Sequence, residues 1–264
     1  MEDESIDLIV TSPPYPMIEM WDHLFSELNA EIREALTVGD GLKAFELMHR
    51  ELDKTWKECY RALKKGGIIC INIGDTTRSI GNNFSMFPSQ SRIISNLTQI
   101  GTSLLPSILW RKTTNSPNKF LGSGTLPVGA YVTLEHEHII IFRKGERRKF
   151  TGNEKNIRRE SSFFWEERNQ WFSDIWQGIQ GIKQKSFIYG SRNRKGAYPM
   201  EIPLRLISMF SLKGDTVLDP FLGTGTTVKS SIILERNSIG LEIDGGFVET
   251  ARKSLLSEAK TLNH

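Results

Sequence analysis

The stretch Asp219-Pro-Phe-Leu-Gly-Thr-Gly-Thr-Thr227 decides which fold this sequence is expected to adopt. It follows residues 216–218, a short apolar run that predicts a buried strand, and a helical pattern begins directly after it. Gly223 and Gly225 allow the backbone to turn tightly and to approach a ligand closely, and the two threonines that end the stretch can cap the helix. A glycine turn without a ligand gives the same pattern, so the stretch alone leaves both interpretations open.

An acidic residue near the next expected strand favours the ligand-binding interpretation. Glu242 comes twenty-three residues after Asp219, within the apolar run 239–243. An acid at this distance from a glycine-rich strand-to-helix turn is where a nucleotide ribose is held through its hydroxyl groups. A phosphate-binding loop is disfavoured, because no Gly-Lys-Ser/Thr triplet follows the glycines.

A second motif, Thr11-Ser-Pro-Pro-Tyr15, follows the apolar run 6–10 near the start of the chain. Pro13 and Pro14 have no N–H group and cannot join a sheet ladder, so neighbouring carbonyl groups can point outward. The Ser12 hydroxyl and such a carbonyl can together accept hydrogen bonds from an exocyclic amine, and a tyrosine ring offers a face for a base. A rigid loop with a half-buried tyrosine is the alternative. The position after a buried strand favours the binding site, because open α/β sheets place ligands there.

The order of apolar runs predicts one α/β domain. Short strands alternate with helical segments, which is the pattern of a mostly parallel sheet with helices on both faces. The expected strands are residues 6–10, 68–73, 138–142, 216–218 and 239–243. The expected helical segments are 24–63, interrupted near 38–41 and ended by the Lys-Lys-Gly-Gly run at 64–67, then 203–210, a helix after 227, and 247–258.

Composition excludes several classes of protein. The chain has 264 residues, of which 38% are hydrophobic and 25% charged, so disorder of the whole chain is excluded. Its longest apolar runs, such as 139–142, are far shorter than the ~20 residues of a membrane span. Cys59 and Cys70 offer neither a disulfide framework nor metal-ligand spacing, which indicates a reducing cytoplasm. His136 and His138 lack an assigned third ligand, so we expect no metal site.

One segment differs in charge from the rest of the chain. Residues 143–195 contain 14 Lys and Arg against 6 Asp and Glu, a net charge of +8 in a chain whose total is +3. Three of the six tryptophans lie in it. A basic, aromatic-rich segment is typical of a polyanion-binding region, although a solvated face with a small core gives the same composition. The candidate contacts are Arg147, Arg148, Arg158, Arg159, Lys183, Lys185, Arg192 and Arg194.

Together the two motifs resemble those of the DNA amino-methyltransferases, which transfer a methyl group from S-adenosylmethionine to an exocyclic nitrogen of a DNA base. In that family D-P-F-x-G-x-G-T-T is the cofactor motif and D/N/S-P-P-Y/F is the catalytic motif. The catalytic motif comes first here and the basic segment lies between the two. This order is similar to the β group, a circular permutation of the usual methyltransferase order. Residues 136–144 and 198–203 resemble the family's seventh strand and the short element before its cofactor strand.

The resemblance covers nearly the whole chain and implies a circularly permuted, Rossmann-like class I methyltransferase fold. Residues 1–144 and 196–264 then form the catalytic and cofactor-binding domain, and 145–195 form a DNA target-recognition region. S-adenosylmethionine is the implied cofactor and double-stranded DNA with a flipped target base the implied partner, while a cognate restriction endonuclease is left open. The implied catalytic residues are Ser12, Pro13, Pro14 and Tyr15. The implied cofactor-binding residues are Asp219, Phe221, Gly223, Gly225, Thr226, Glu242 and Tyr198.

The residue at position 12 indicates the substrate. In this family the S-P-P form usually accompanies cytosine N4 and the D-P-P form adenine N6, so we expect transfer to cytosine N4. Adenine N6 methylation by the same apparatus and a non-catalytic DNA-binding relative are the alternatives. A protein-glutamine methyltransferase also uses a P-P-Y loop, but it would place the cofactor motif first.

Overall fold

The computed structural model describes residues 1–112, 121–180 and 198–262. Within them the backbone forms one seven-stranded sheet and two short hairpins. The strands are β1 (Ile6–Thr11), β2 (Leu63–Ile73), β3 (Thr76–Ile80), β4 (Asn83–Phe87), β5 (Thr102–Arg111), β6 (Leu121–Gly122), β7 (Ala130–Tyr131), β8 (His136–Lys144), β9 (Ile175–Trp176), β10 (Thr216–Asp219) and β11 (Asn237–Gly240). The helices are α1 (Asp22–Leu28), α2 (Ala30–Thr37), α3 (Gly41–Ala62), α4 (Ser89–Gln99), α5 (Glu154–Glu160), α6 (Trp165–Trp171), α7 (Glu201–Phe210), α8 (Thr226–Ile233) and α9 (Gly245–Leu262), with a 3₁₀ turn at Glu19–Trp21.

The large sheet has the strand order β11-β10-β1-β2-β8-β5-β9. Strands β11, β10, β1 and β2 run parallel, whereas β8 is antiparallel to both of its neighbours. The predicted mostly parallel sheet is therefore confirmed. Leu8 of β1 pairs with Val217 of β10, so the loops that follow these two strands lie side by side. We call the end where the four parallel strands finish the carboxyl edge, and the end where they begin the amino edge.

Both faces of the sheet are buried, because successive strand residues enter two different apolar cores. On one face Ile9 and Ile71 pack with residues of α1 to α4. On the other face Leu8 and Cys70 pack with residues of α7. The prediction of helices on both faces is confirmed, and none of the described helices is long and apolar enough to cross a membrane.

Two of the boundaries that differ from the prediction have a clear physical reason. The helix α3 ends at Ala62, and residues 64–67 belong to β2 rather than to the end of the helix. Gly66 has a φ of +82°, and a Cβ there would lie 2.7 Å from the backbone nitrogen of Arg148, so this glycine permits a close approach of two segments. Strand β11 ends at Gly240, earlier than predicted. Beyond it the backbone N–H groups of Ile243 and Asp244 donate to the Glu242 side chain instead of to a neighbouring strand.

Candidate active site

A cleft of about 1220 Å³ at the carboxyl edge brings the two sequence motifs together. Ser12 and Tyr15 line it from the loop after β1, and Gly223 and Glu242 line it from the loops after β10 and β11. The other predicted residues in its wall are Pro13, Pro14, Tyr198, Asp219, Phe221 and Thr226. Gly225 does not line the cleft but is the N-cap residue of α8. The motifs, far apart in sequence, thus share one site where open α/β sheets bind ligands.

A chain of hydrogen bonds ties the loop after β1 to two neighbouring strands. Ser12 Oγ donates to Tyr15 Oη over 3.2 Å, and Tyr15 Oη donates to Glu137 Oε2 of β8 over 2.8 Å. Asn72 Nδ2 of β2 donates to Tyr15 Oη over 2.8 Å and to Glu137 Oε2 over 2.6 Å. The phenol oxygen therefore accepts two hydrogen bonds and donates one, which uses its full capacity and fixes its position.

Glu137 is a buried carboxylate with a cationic partner. Lys112 Nζ hydrogen-bonds to Glu137 Oε1 and lies 4.8 Å from the ring centre of Trp110. Burial raises the pKa of Tyr15 well above its ordinary value, and the charge of Glu137 raises that pKa further. Tyr15 is therefore a neutral phenol near neutral pH, and its proton stays in the bond to Glu137.

The glycine loop after β10 adopts backbone conformations that favour glycine. Gly223 has a φ of +52° and Gly225 a φ of +86°, and a Cβ on Gly225 would lie 3.2 Å from the Cβ of Ala251 in α9. The helix α8 begins at Thr226 with Gly225 as its N-cap, and no described side chain caps it. The predicted capping by Thr226 and Thr227 is therefore wrong, because both residues already lie inside the helix.

Asp219 is a carboxylate buried beneath the glycine loop. Its Oδ1 accepts hydrogen bonds from Thr11 Oγ1 over 2.6 Å and from the Phe221 backbone nitrogen over 3.1 Å. Burial raises the pKa of Asp219 to about 6, although these two donors act in the opposite direction. Asp219 is thus ionised just above pH 6 and links the ends of β1 and β10.

Glu242 closes the other side of the glycine loop. Its Oε2 accepts from the Gly223 nitrogen over 2.9 Å, and its Oε1 accepts from the nitrogens of Ile243 (2.9 Å) and Asp244 (3.0 Å). This half-buried carboxylate lies just past β11 rather than within it. The spacing from Asp219 therefore predicted correctly that Glu242 lies beside the glycine loop. The predicted strand, however, extended to residue 243, whereas β11 ends at Gly240.

Two aromatic residues pack behind the loop. The Tyr198 hydroxyl hydrogen-bonds to Thr227 Oγ1, which also lies 3.4 Å from the Val10 carbonyl oxygen. The Phe221 ring meets the Trp56 ring edge to face, with 5.7 Å between their centres. The loop is therefore anchored to β1 and α3 as well as to its own strand.

Residues 6–253 of the chain match the N6_N4_Mtase family, described as DNA methylase. The chain belongs to this DNA methylase family. Type II methyltransferase M.MthZI of Methanothermobacter thermautotrophicus is 51% identical over 265 residues, which cover 100% of this chain and 75% of the relative. Type II methyltransferase M.MjaI of Methanocaldococcus jannaschii is 53% identical over 255 residues, which cover 92% and 83%.

Solved structures agree with this membership. The methylase is similar to TTHA0409 of Thermus thermophilus complexed with S-adenosyl-L-methionine, with a TM-score of 0.75, 28% identity, and coverage of 98% of this chain and 88% of that one. The cytosine-N4-specific PvuII DNA methyltransferase aligns with a TM-score of 0.59, covering 95% of this chain and 79% of that one; at 18% identity it bears on the fold alone. The predicted DNA amino-methyltransferase family, class I methyltransferase fold and S-adenosylmethionine as the family's methyl donor are confirmed.

The cleft of the methylase fits such a donor. Its glycine loop has the left-handed turns that a close backbone approach requires, and Asp219 and Glu242 place carboxylates on either side of this loop. S-adenosylmethionine carries a sulfonium and an ammonium group, so nearby carboxylates suit its charge. The predicted roles of the individual residues stay predictions.

The sequence did not indicate that Asn72, Lys112 and Glu137 form a hydrogen-bond network with Tyr15. Asn72 is a lone amide within the apolar run 68–73, and such a residue in a buried strand needs a polar partner. The position of Glu137 follows from pairing between β2 and β8, in which Asn72 lies opposite Ile139 and Ile73 opposite His138. The Glu137 side chain can be assigned to Tyr15 only once that register is known.

The predicted DNA-binding residues in the described part of the basic segment lie near the amino edge. Arg148 pairs with Asp215, just before β10, over 2.7 Å, with Glu154 over 3.2 Å, and with Asp7 of β1 over 3.6 Å. Arg158 of α5 stacks on Phe150, as does Arg148. Arg147 and Arg159 are exposed nearby. Arg148 is thus held by carboxylates, and the DNA contacts of this group stay predictions.

The other predicted contacts, Lys183, Lys185, Arg192 and Arg194, lie outside the described residues. The nearest described residues on either side belong to the carboxyl side of the sheet. The Ile179 carbonyl accepts from Trp110 Nε1 near the end of β5, and Tyr198 lines the cleft. The described part of the basic segment, residues 143–180, therefore runs from the amino edge to the carboxyl edge.

The H-x-H pair has a packing arrangement of its own. The rings of His136 and His138 meet edge to face with 4.9 Å between centres, and His138 Nε2 lies 3.8 Å from Asp75 Oδ2. Among the described residues, no three His, Cys, Asp or Glu side chains are arranged to hold a metal ion.

Proposed function

We propose that this methylase transfers a methyl group from S-adenosylmethionine to N4 of a cytosine within a specific site of double-stranded DNA. Two relatives above 50% identity are named Type II methyltransferases, which supports the site-specific part of the proposal. The observation that carries the choice of base is Ser12, a neutral hydroxyl in the cleft wall. In the adenine-N6 members that the motif resembles, this position usually holds aspartate.

The reaction depends mainly on how the site orients the target base and its amine. The target cytosine has to leave the duplex stack to reach the cleft, where the ring of Tyr15 offers a stacking face. Ser12 Oγ and the Pro13 carbonyl accept from the N4 amine, whose lone pair is delocalised into the ring. Holding that amine out of conjugation and in near-attack geometry supplies most of the catalysis.

The glycine loop would hold the methyl donor, with Asp219 and Glu242 on either side of it and Phe221 and Tyr198 packed behind. When bound, S-adenosylmethionine supplies an electrophilic methyl group on a sulfonium. The transfer forms the bond from N4 to the methyl carbon and breaks the bond from that carbon to sulfur. The proton that N4 loses goes to solvent.

Product analysis tests the proposal. Plasmid DNA is incubated with the protein and isotope-labelled S-adenosylmethionine, digested to nucleosides and examined by mass spectrometry. We expect labelled N4-methylcytosine. Labelled N6-methyladenine without N4-methylcytosine contradicts the choice of base, and unlabelled DNA contradicts the enzymatic activity.

Ser12→Ala tests the role of the hydroxyl. We expect turnover to fall on the order of 10- to 1000-fold, as for the loss of one positioned polar group, while the Pro13 carbonyl still accepts from the amine. Ser5→Ala is the matched control, because the Ser5 hydroxyl bonds to the Glu2 carbonyl away from the cleft. Full activity of Ser12→Ala contradicts the assigned role.

A further inference from the structure

The hydrogen bonds behind Ser12 run in one direction. A carboxylate accepts and cannot donate, so the phenol proton of Tyr15 has to point to Glu137 Oε2, 2.8 Å away. Tyr15 Oη then offers lone pairs to its other neighbours, and the Ser12 proton points to it over 3.2 Å. The Ser12 oxygen, which lines the cleft, is left with its lone pairs available.

Two further donors maintain this direction. Lys112 Nζ, which can only donate, hydrogen-bonds to Glu137 Oε1, and Asn72 Nδ2 donates to Glu137 Oε2. The same Asn72 nitrogen donates to Tyr15 Oη. Donors from three segments of the chain therefore converge on the buried carboxylate of Glu137.

We propose that Glu137 is a positioning residue that makes Ser12 a committed hydrogen-bond acceptor for the exocyclic amine of the target base. A serine hydroxyl alone can donate or accept, and an amine N–H needs an acceptor. The hydrogen bonds from Ser12 to Tyr15 and from Tyr15 to Glu137 occupy the Ser12 proton, so Ser12 can only accept from the base. This arrangement also disfavours a base with a carbonyl oxygen at that position, because two acceptors would face each other. The inference rests on the proposed function, since it concerns how the same site holds the amine.

Glu137→Gln tests the direction of the chain at nearly constant size. A carboxamide can turn its NH₂ toward Tyr15, and the phenol proton then points to Ser12, which has to donate. We expect kcat to fall on the order of 10- to 100-fold with S-adenosylmethionine affinity unchanged. In the wild-type background we expect Ser12→Ala to lower kcat by ~10- to 1000-fold. In the Glu137→Gln background we expect the same substitution to lower kcat by less than about threefold. An equal cost in both backgrounds overturns the proposal.

Tyr15→Phe gives the same test without altering a buried charge. It keeps the ring and removes the link between Ser12 and Glu137, so Ser12 is free to donate or accept, and the loss of kcat caused by Ser12→Ala should be smaller than in the wild type. Glu135→Gln is the matched control, because Glu135 pairs with Arg111 over 3.1 Å and lies outside the chain. It should leave both kcat and the cost of Ser12→Ala unchanged.

The same measurements separate this inference from the proposed function. Methylated adenine, together with a cost of Ser12→Ala that depends on Glu137, contradicts the choice of cytosine and supports the positioning role. N4-methylcytosine, together with an equal cost of Ser12→Ala in all backgrounds, supports the proposed function and overturns the positioning role.

Discussion

The two edges of the sheet contain similar charged residues and use them differently. At the amino edge Arg148 contacts the carboxylates of Asp7, Asp215 and Glu154, so the charges compensate one another. At the carboxyl edge Lys112 also pairs with a buried carboxylate, that of Glu137. There, however, the hydrogen bonds continue through Tyr15 to an oxygen in the cleft wall.

The two edges differ in the hydrogen-bond partners of their cations rather than in the charges themselves. A cation surrounded by carboxylates contributes to stability, and removing one partner leaves the others unpaired in a partly buried place. A series of hydrogen bonds that ends at a cleft determines whether the last group donates to a ligand or accepts from it. Matched changes at the two edges can contradict this division.

Truncation of a tyrosine should give the largest contrast. Tyr15→Ala removes the stacking face, worth about 1–3 kcal/mol, together with the positioned chain to Glu137, so we expect kcat to fall by about 10³-fold. Tyr60→Ala is its counterpart near the amino edge, where the Tyr60 ring lies 4.7 Å from Lys144 Nζ. It should lower the melting temperature and leave kcat unchanged. A comparable loss of kcat in both variants contradicts the division.

A matched pair of aspartates should separate affinity from stability. Asp219→Asn keeps an oxygen for Thr11 and Phe221 but removes the charge, so we expect S-adenosylmethionine affinity to fall by about 30- to 150-fold, or 2–3 kcal/mol. Asp215→Asn removes a charged partner of Arg148, so it should lower stability and leave that affinity unchanged. Calorimetric titration and thermal unfolding of both variants provide the measurements.

The pH dependence of Asp219 has a definite sign. Its pKa in the folded protein is raised to about 6 from 3.8, so its contribution to stability is complete below pH 3.8 and is lost as the pH rises through 6. At pH 8 Asp219→Asn should therefore be more stable than the wild type, by up to about 3 kcal/mol. The wild-type affinity for S-adenosylmethionine should fall as the pH drops through 6, and that of Asp219→Asn should not. A pH-independent wild type contradicts the assignment.

Glu242→Ala should have a smaller effect on cofactor affinity. The carboxylate is partly exposed and already accepts from three backbone N–H groups, so a ribose has to compete with them. We expect a loss of about 1–2 kcal/mol, or about 5- to 30-fold. Glu242→Gln, which keeps an acceptor for Gly223, should lose less. Unchanged affinity in a folded Glu242→Ala protein contradicts the role.

Much of the lining of the cleft beside the glycine loop could be predicted from the sequence, because the carboxyl ends of parallel strands meet at one edge. Apolar runs identified β1 and β10, and the residues that follow them line the cleft. The positions of Lys112 and Glu137 depend on the antiparallel placement of β8 between β2 and β5, which local patterns do not determine. Arg148, chosen for its charge, has carboxylate partners from distant parts of the chain, which local sequence patterns also do not determine.

Among these predictions, charge reversal of basic residues at the amino edge should have the smallest effect, measured as a change in DNA affinity. Arg158→Glu with Arg159→Glu changes the same charge as Arg192→Glu with Arg194→Glu, and both pairs were predicted to bind DNA. Six residues of β1, at about 3.3 Å each, separate the amino edge from the loop that carries Ser12, a distance of about 20 Å. Arg194 lies outside the described residues, and Tyr198, four positions after it in the sequence, lines the cleft.

We therefore expect reversal of the Arg158 pair to weaken DNA binding by less than about threefold and to leave its salt dependence unchanged. Reversal of the Arg192 pair should weaken binding at least about tenfold and reduce the slope of log affinity against log salt by about two, as for two lost phosphate contacts. S-adenosylmethionine affinity should stay constant in both variants. If the Arg158 pair has the larger effect, DNA also contacts the amino edge, and the functional division between the two edges of the sheet is wrong.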